Sequence, residues 1–217
     1  MKRLVPFLAV LALVALGPAL AADTKPAKTD KKANTKAAAA TPAVTDSLGL
    51  LERAVAKDST KFDNLYQLGI MYLDREKNLE AWQVFAKANQ VKPKNVKVLV
   101  NLGVALDNLS KSDLAQGYYR QAIAVSPNDS LASCRLATSL YAQGKYGESI
   151  PLLRDLIAKQ PKWPCAYFTM GVAFADAGLY RDAVRMWKKV IELEPGSAEA
   201  QSAKESIDVL EKFLSGQ

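Results

Sequence analysis

Four prolines recur at a fixed step of 34 residues, at Pro93, Pro127, Pro161 and Pro195. Four residue pairs keep the same step: Leu68-Gly69, Leu102-Gly103, Leu136-Ala137 and Met170-Gly171. A period of this length over four copies means stacked units of one supersecondary structure. Each unit in such a stack buries its apolar face on its neighbours, an arrangement that favours recognition along a surface over chemistry in a pocket.

Within the first unit Leu68 and Gly69 are followed by Tyr72, Ala81, Phe85, Ala88 and Pro93. The second places Leu102, Gly103, Leu106, Ala115, Tyr119, Ala122 and Pro127 at the same offsets, and the third Leu136, Ala137, Leu140, Ser149, Leu153, Leu156 and Pro161. The fourth places Met170, Gly171, Phe174, Ala183, Trp187, Val190 and Pro195 there. Leu68 and Tyr72, four apart, share one helical face; Ala81, Phe85 and Ala88 share another. Small residues such as Gly69 and Ala81 let two helices approach, and Phe85 and Trp187 are large enough to fill the space between hairpins. Gly144 and Gly178 mark the turn between helices in units three and four. The polar stretches Arg75–Asn78 and Ser110–Asp113 serve that turn in units one and two. Each recurring proline stands where the second helix should stop, because the residue before proline avoids helical backbone.

This pattern resembles the tetratricopeptide repeat, a 34-residue pair of antiparallel helices, over residues 62–197. The resemblance implies an all-α, right-handed superhelical solenoid with units at 62–95, 96–129, 130–163 and 164–197. Residues 46–61 carry Leu48, Leu51, Ala54 and Val55 at helical spacing and fit a half-repeat helix at the N-terminal end. Residues 198–217 fit a capping helix that Ser197 starts, with Ile207, Leu210 and Leu214 inward and Lys204, Glu205, Asp208, Glu211 and Lys212 outward.

Ahead of the repeats, Met1-Lys2-Arg3 precedes an apolar run from Leu4 to Leu16, then Gly17-Pro18 and the small-x-small triplet Ala19-Leu20-Ala21. Residues 1–21 read as a signal peptide, which predicts export to the periplasm or the exterior of a bacterial cell and a protein soluble after cleavage. Residues 22–45 are rich in Lys, Ala and Thr and lack aromatic groups, the composition of a disordered linker. Lys25, Lys28, Lys31, Lys32 and Lys36 against Asp23 and Asp30 give that segment a net +3 within a chain of +7. Weak contact with an anionic envelope surface is one reading of this basic segment, and a solubilising linker is the simpler one. The body from residue 46 is near neutral, at about +2, so nucleic acid is not an expected partner.

The chain contains no His. The usual general base, the usual zinc ligand and every Ser-His or Cys-His arrangement are therefore excluded. Gly-rich phosphate loops and metal-loop carboxylate spacings are absent as well, so neither enzymatic activity nor a cofactor or metal is expected. Cys134 and Cys165 are an even pair, which invites a disulfide in an exported protein. They lie 31 residues apart, about one turn out of the 34-residue step. A bridge needs Cα atoms within roughly 7 Å, whereas packed helices lie about 8–10 Å apart; this weighs toward two small thiols lining a groove.

In the family that the pattern resembles, the first helices of successive units line a concave groove. That implies groove-facing side chains at Asp63, Tyr66, Ile70 and Asp74 in unit one, and at Lys97, Val100, Val104, Asp107 and Asn108 in unit two. Unit three would contribute Leu131, Cys134, Thr138 and Tyr141, and unit four Cys165, Phe168, Val172 and Asp176. Tyr66, Tyr141 and Phe168 are the aromatic anchors of this set. For Val100, Val104 and Val172, packing between helices is an equal reading. Family members that clamp a C-terminal carboxylate use Lys and Asn; here Asn101 and Arg135 stand at two of those places, and Tyr66, Ile70 and Leu131 fill others without a charge. The expected function is a non-enzymatic scaffold that holds a protein or peptide segment in the groove to organise a cell-envelope complex. The alternative is a structural tether whose basic segment contacts the envelope while the repeats self-associate.

Overall fold

The computed structural model describes residues 47–216. The expected signal peptide and linker lie outside the described residues. Among these there are ten α-helices and no strand: α1 (Ser47–Lys57), α2 (Phe62–Leu73), α3 (Asn78–Val91), α4 (Val96–Asn108), α5 (Ser112–Val125), α6 (Ser130–Ala142), α7 (Tyr146–Lys159), α8 (Pro164–Asp176), α9 (Tyr180–Leu193) and α10 (Ala198–Ser215).

The turn within each unit repeats at the level of the backbone. Between the helices of each unit, Glu76, Ser110, Gly144 and Gly178 adopt positive φ of 57°, 58°, 72° and 76°. The following amide then donates back to the first helix: Lys77 to Tyr72, Lys111 to Leu106, Lys145 to Leu140 and Leu179 to Phe174, at 2.8–2.9 Å. This is the left-handed helix terminator in which a 6→1 bond satisfies a free carbonyl. The turn is thus the same in units one and two, although Glu and Ser replace glycine there. Each second helix ends two residues before its proline, and the cap amides of Lys92, Ser126, Gln160 and Glu194 close the last turns. Asn95, Asp129 and Ser197 start α4, α6 and α10 by accepting from the backbone N–H three residues on. α8 has no such side-chain cap, and Pro164 in its first turn has no N–H there to satisfy.

Three of the four units share one close contact between their two helices. A Cβ placed on Gly69 would stand 2.6 Å from the Phe85 ring, one on Gly103 2.3 Å from Tyr119, and one on Gly171 2.4 Å from Trp187. The aromatic of the second helix therefore lies over the glycine of its own hairpin, as well as against the next unit. Unit three pairs Ala137 with Leu153, both fully buried. Where the partner is not a ring, the extra methyl group is accommodated.

Every second helix packs between its own first helix and the first helix of the next unit. The first helices α4, α6 and α8 also touch one another in sequence, while second helices make no comparable contact among the described residues. A stack whose first helices are closer than its second helices bends toward the first, so these line the inner side. At the ends, α1 covers α2 through Leu48, Leu51 and buried Val55, and α10 covers α8 and α9. Ile207 and Leu210 face inward as expected, but Leu214 is 54% exposed. The physical reason is length: α10 has 18 residues against 14 in α9. Its last turn overhangs Tyr180, whose ring meets Phe213 edge-on at 5.6 Å.

Candidate functional site along the inner row

The expected groove residues divide into two classes. Asp63, Asp74, Lys97, Asn108 and Asp176 are exposed, and Tyr66, Ile70, Asp107, Leu131, Thr138, Cys165 and Phe168 are partly so. Val100, Val104, Cys134, Tyr141 and Val172 are buried. Val100 and Val104 join the core formed with Leu99, Leu106 and Tyr119, and Val172 joins the one around Trp187. An inner helix is covered on its flanks by neighbouring first helices as well as on its back by two second helices, so only a narrow strip stays open. Tyr141, expected as an anchor, has its ring against Tyr146 at 4.8 Å. Its hydroxyl donates to Asp176 at 2.8 Å.

The two cysteines form a disulfide, with Cα atoms 6.4 Å apart. They are not the separate groove thiols that the spacing favoured. Residues 34 apart occupy equivalent positions and point the same way, so they do not face each other. Facing side chains lie on opposite flanks, rotated by about 60–100° around the helix, which at about 100° per residue means separations of 31 or 35. Three of the lateral hydrogen bonds use these separations. Thr138 and Thr169 share a hydrogen bond of 3.1 Å at separation 31. Asn101 donates to the Tyr66 hydroxyl at 3.3 Å, and Tyr141 to Asp176, both at separation 35.

Asp107 is the polar node of the row. Its carboxylate accepts from the Tyr119 hydroxyl at 2.9 Å and from Ser139 at 3.0 Å. Burial pushes its pKa above the ordinary carboxylate value, against those hydrogen bonds and the charge of Arg135. Burial beside Asp107 likewise pushes the Tyr119 hydroxyl well up. Next to this node Gln116, itself buried, donates to Ser139 and to Gln143 and accepts from Lys145. Asn101, Gln116, Ser139 and Thr169 thus tie the units together, and none was singled out as part of this frame. Their signal was a polar residue where the helix pattern calls for an apolar one. Of the clamp positions, Asn101 is buried and spent on Tyr66.

Among the described residues no three His, Cys, Asp or Glu side chains gather as a metal site. No described helix is long and apolar enough to cross a membrane. What the inner row offers is a fixed frame carrying exposed carboxylates and partly exposed Tyr66, Ile70, Leu131 and Phe168.

Comparison with known proteins agrees with this architecture. The tetratricopeptide repeat family model matches residues 100–164. The human mitochondrial import receptor subunit TOM70 is 26% identical over 141 residues, 62% of this chain. The bovine BBSome complex member BBS4 is 26% identical over 113 residues, 52% of this chain. The chain spans 23% and 22% of the length of these two relatives. Among solved structures, MamA superposes with a TM-score of 0.59 at 22% identity, covering 68% of this chain and 86% of that one. YrrB, described as a tetratricopeptide-repeat protein with an unusual peptide-binding site, superposes with a TM-score of 0.55 at 26% identity, covering 73% and 81%. With its 34-residue helical hairpins, glycine–aromatic contacts and recurring terminator turns, this chain has the tetratricopeptide-repeat fold, and the model of that family matches its residues 100–164.

Proposed function

We propose that this protein is an exported, non-enzymatic scaffold that holds a protein or peptide segment along its inner row and helps organise a cell-envelope complex. The observation that carries the reading is the inner row itself. Tyr66, Ile70, Leu131 and Phe168 remain partly open on a frame fixed by the Tyr66–Asn101, Asp107–Ser139 and Tyr141–Asp176 bonds. Pre-organised aromatic and aliphatic groups lower the entropy lost on binding an extended or helical segment. Exposed Asp63, Asp74 and Asp176 favour a segment carrying Lys or Arg. Export is supported by residues 1–21 and by the Cys134–Cys165 disulfide, a bond that persists in oxidising compartments.

A self-associating tether is favoured by one feature. Val209, Phe213 and Leu214 leave the last two turns of α10 partly apolar and exposed, where the end of a solenoid is usually polar.

The test is affinity capture from an envelope fraction with the full protein beside an Asp63→Lys, Asp74→Lys, Phe168→Ala variant of unchanged helicity. A protein captured by the first and lost from the second supports the inner row as the working face. Equal capture by both assigns binding to another face.

A further inference from the structure

We infer that the Cys134–Cys165 disulfide is the closure of the array's weakest junction, the one between units three and four, and that a dithiol reductant opens the inner row there while leaving units one and two intact. The helix on the outer side of this junction is α7. It is the most sparsely held of the second helices, both against its own partner α6 and against α8. It buries only Ser149, Leu153 and Leu156, and carries Pro151 within the helix. That proline has no N–H for the helical ladder. Unit three also lacks the glycine–aromatic contact of the other three, with Ala137 and Leu153 in its place. The core cluster around Cys134 is the smallest of the four, although Tyr141, Ile150 and Ile157 also reach the cluster around Trp187 in unit four. Just beyond α7, the indole N–H of Trp163 is buried without a partner.

The disulfide stands where these deficits meet. It joins α6 to α8 directly and bypasses α7. Without it, α6 and α8 are joined side to side by the Thr138–Thr169 and Tyr141–Asp176 hydrogen bonds, both partly exposed. No other junction carries a covalent link among the described residues, and at each the second helix packs more fully on the helix that follows it. Cys134 is fully buried and Cys165 partly exposed, so a reductant approaches the bond from the Cys165 side. A thiolate of the dithiol attacks the Cys165 sulfur, and the Sγ–Sγ bond breaks. Cys134 leaves and takes a proton. The second thiol of the reagent then displaces Cys165 and closes a cyclic disulfide. The protein gains two electrons and two protons, and the dithiol is oxidised.

Hydrogen exchange of the full chain, oxidised and reduced by dithiothreitol, tests this, with a Cys134→Ala, Cys165→Ala variant as the second arm. In both arms exchange through α8, α9 and α10 is expected to speed up by about tenfold or more, with α2 to α5 unchanged. Protection that is the same with and without the bond overturns the inference, as does a loss spread evenly over all helices.

Discussion

Gly103 lies directly under the ring of Tyr119, so close that a Cβ would stand 2.3 Å from the ring edge. Tyr119 is 1% exposed and tied through its hydroxyl to Asp107, so it cannot swing aside. Gly103→Ala is therefore expected to destabilise the protein by about 1–3 kcal/mol, although alanine is the better helix former by about 1 kcal/mol. Combining it with Tyr119→Leu, which copies the Ala137 and Leu153 pair of unit three, should cost less than the two single changes added together. A double-mutant cycle by chemical denaturation reads the coupling. Additive costs would mean that the glycine is not there for the ring.

Glu76 and Ser110 hold the left-handed turn position that Gly144 and Gly178 hold in the later units. A side chain costs about 1–2 kcal/mol in that conformation, and glycine returns part of the gain through a freer unfolded chain. Glu76→Gly and Ser110→Gly should each raise stability by about 0.5 kcal/mol, visible as a higher Tm in thermal unfolding. Gly144→Ala and Gly178→Ala should each lower it.

Asp107 gives the inner row a pH signature. Its folded pKa is raised by burial, so the folded state holds its proton more tightly than the unfolded state does. The stability it contributes is thus present at acid pH and is lost as pH rises from the ordinary carboxylate value through the raised one. Asp107→Asn lacks this loss. The stability of the Asn variant minus that of the wild type should grow as pH rises through this window and then level off. A difference that shrinks with rising pH would require a depressed pKa.

The hydroxyl of Tyr66 is the acceptor for the buried amide of Asn101. Tyr66→Phe keeps the ring contact with Phe85 and strands that amide, at a cost of about 1–3 kcal/mol. Denaturant titration measures it. No change would show that the lateral bond does not help to fix the row.

The repeat, its helices and its core were legible because a 34-residue step places the same residue types in the same environments, as Gly69 with Phe85 and Gly171 with Trp187 illustrate. The disulfide was harder to read. Comparing Cys134 and Cys165 with the repeat length treats equivalent positions as contacts, whereas facing flanks differ from that length by three residues or by one. The groove was legible only in part. Whether Val100 or Tyr141 is open depends on how closely neighbouring first helices approach, and that is a property of the stack rather than of any one helix. Leu214 was misread for a related reason, since helical spacing records which side a residue faces but not where the neighbouring helix ends.

A partner held along the inner row would cover the first helices and leave the second helices open. Hydrogen exchange of the full chain with and without a protein recovered from the envelope fraction tests it most directly. Slowed exchange is expected on α2, α4, α6 and α8, with α3, α5, α7 and α9 unchanged. Slowing confined to the second helices or to α10 would contradict it.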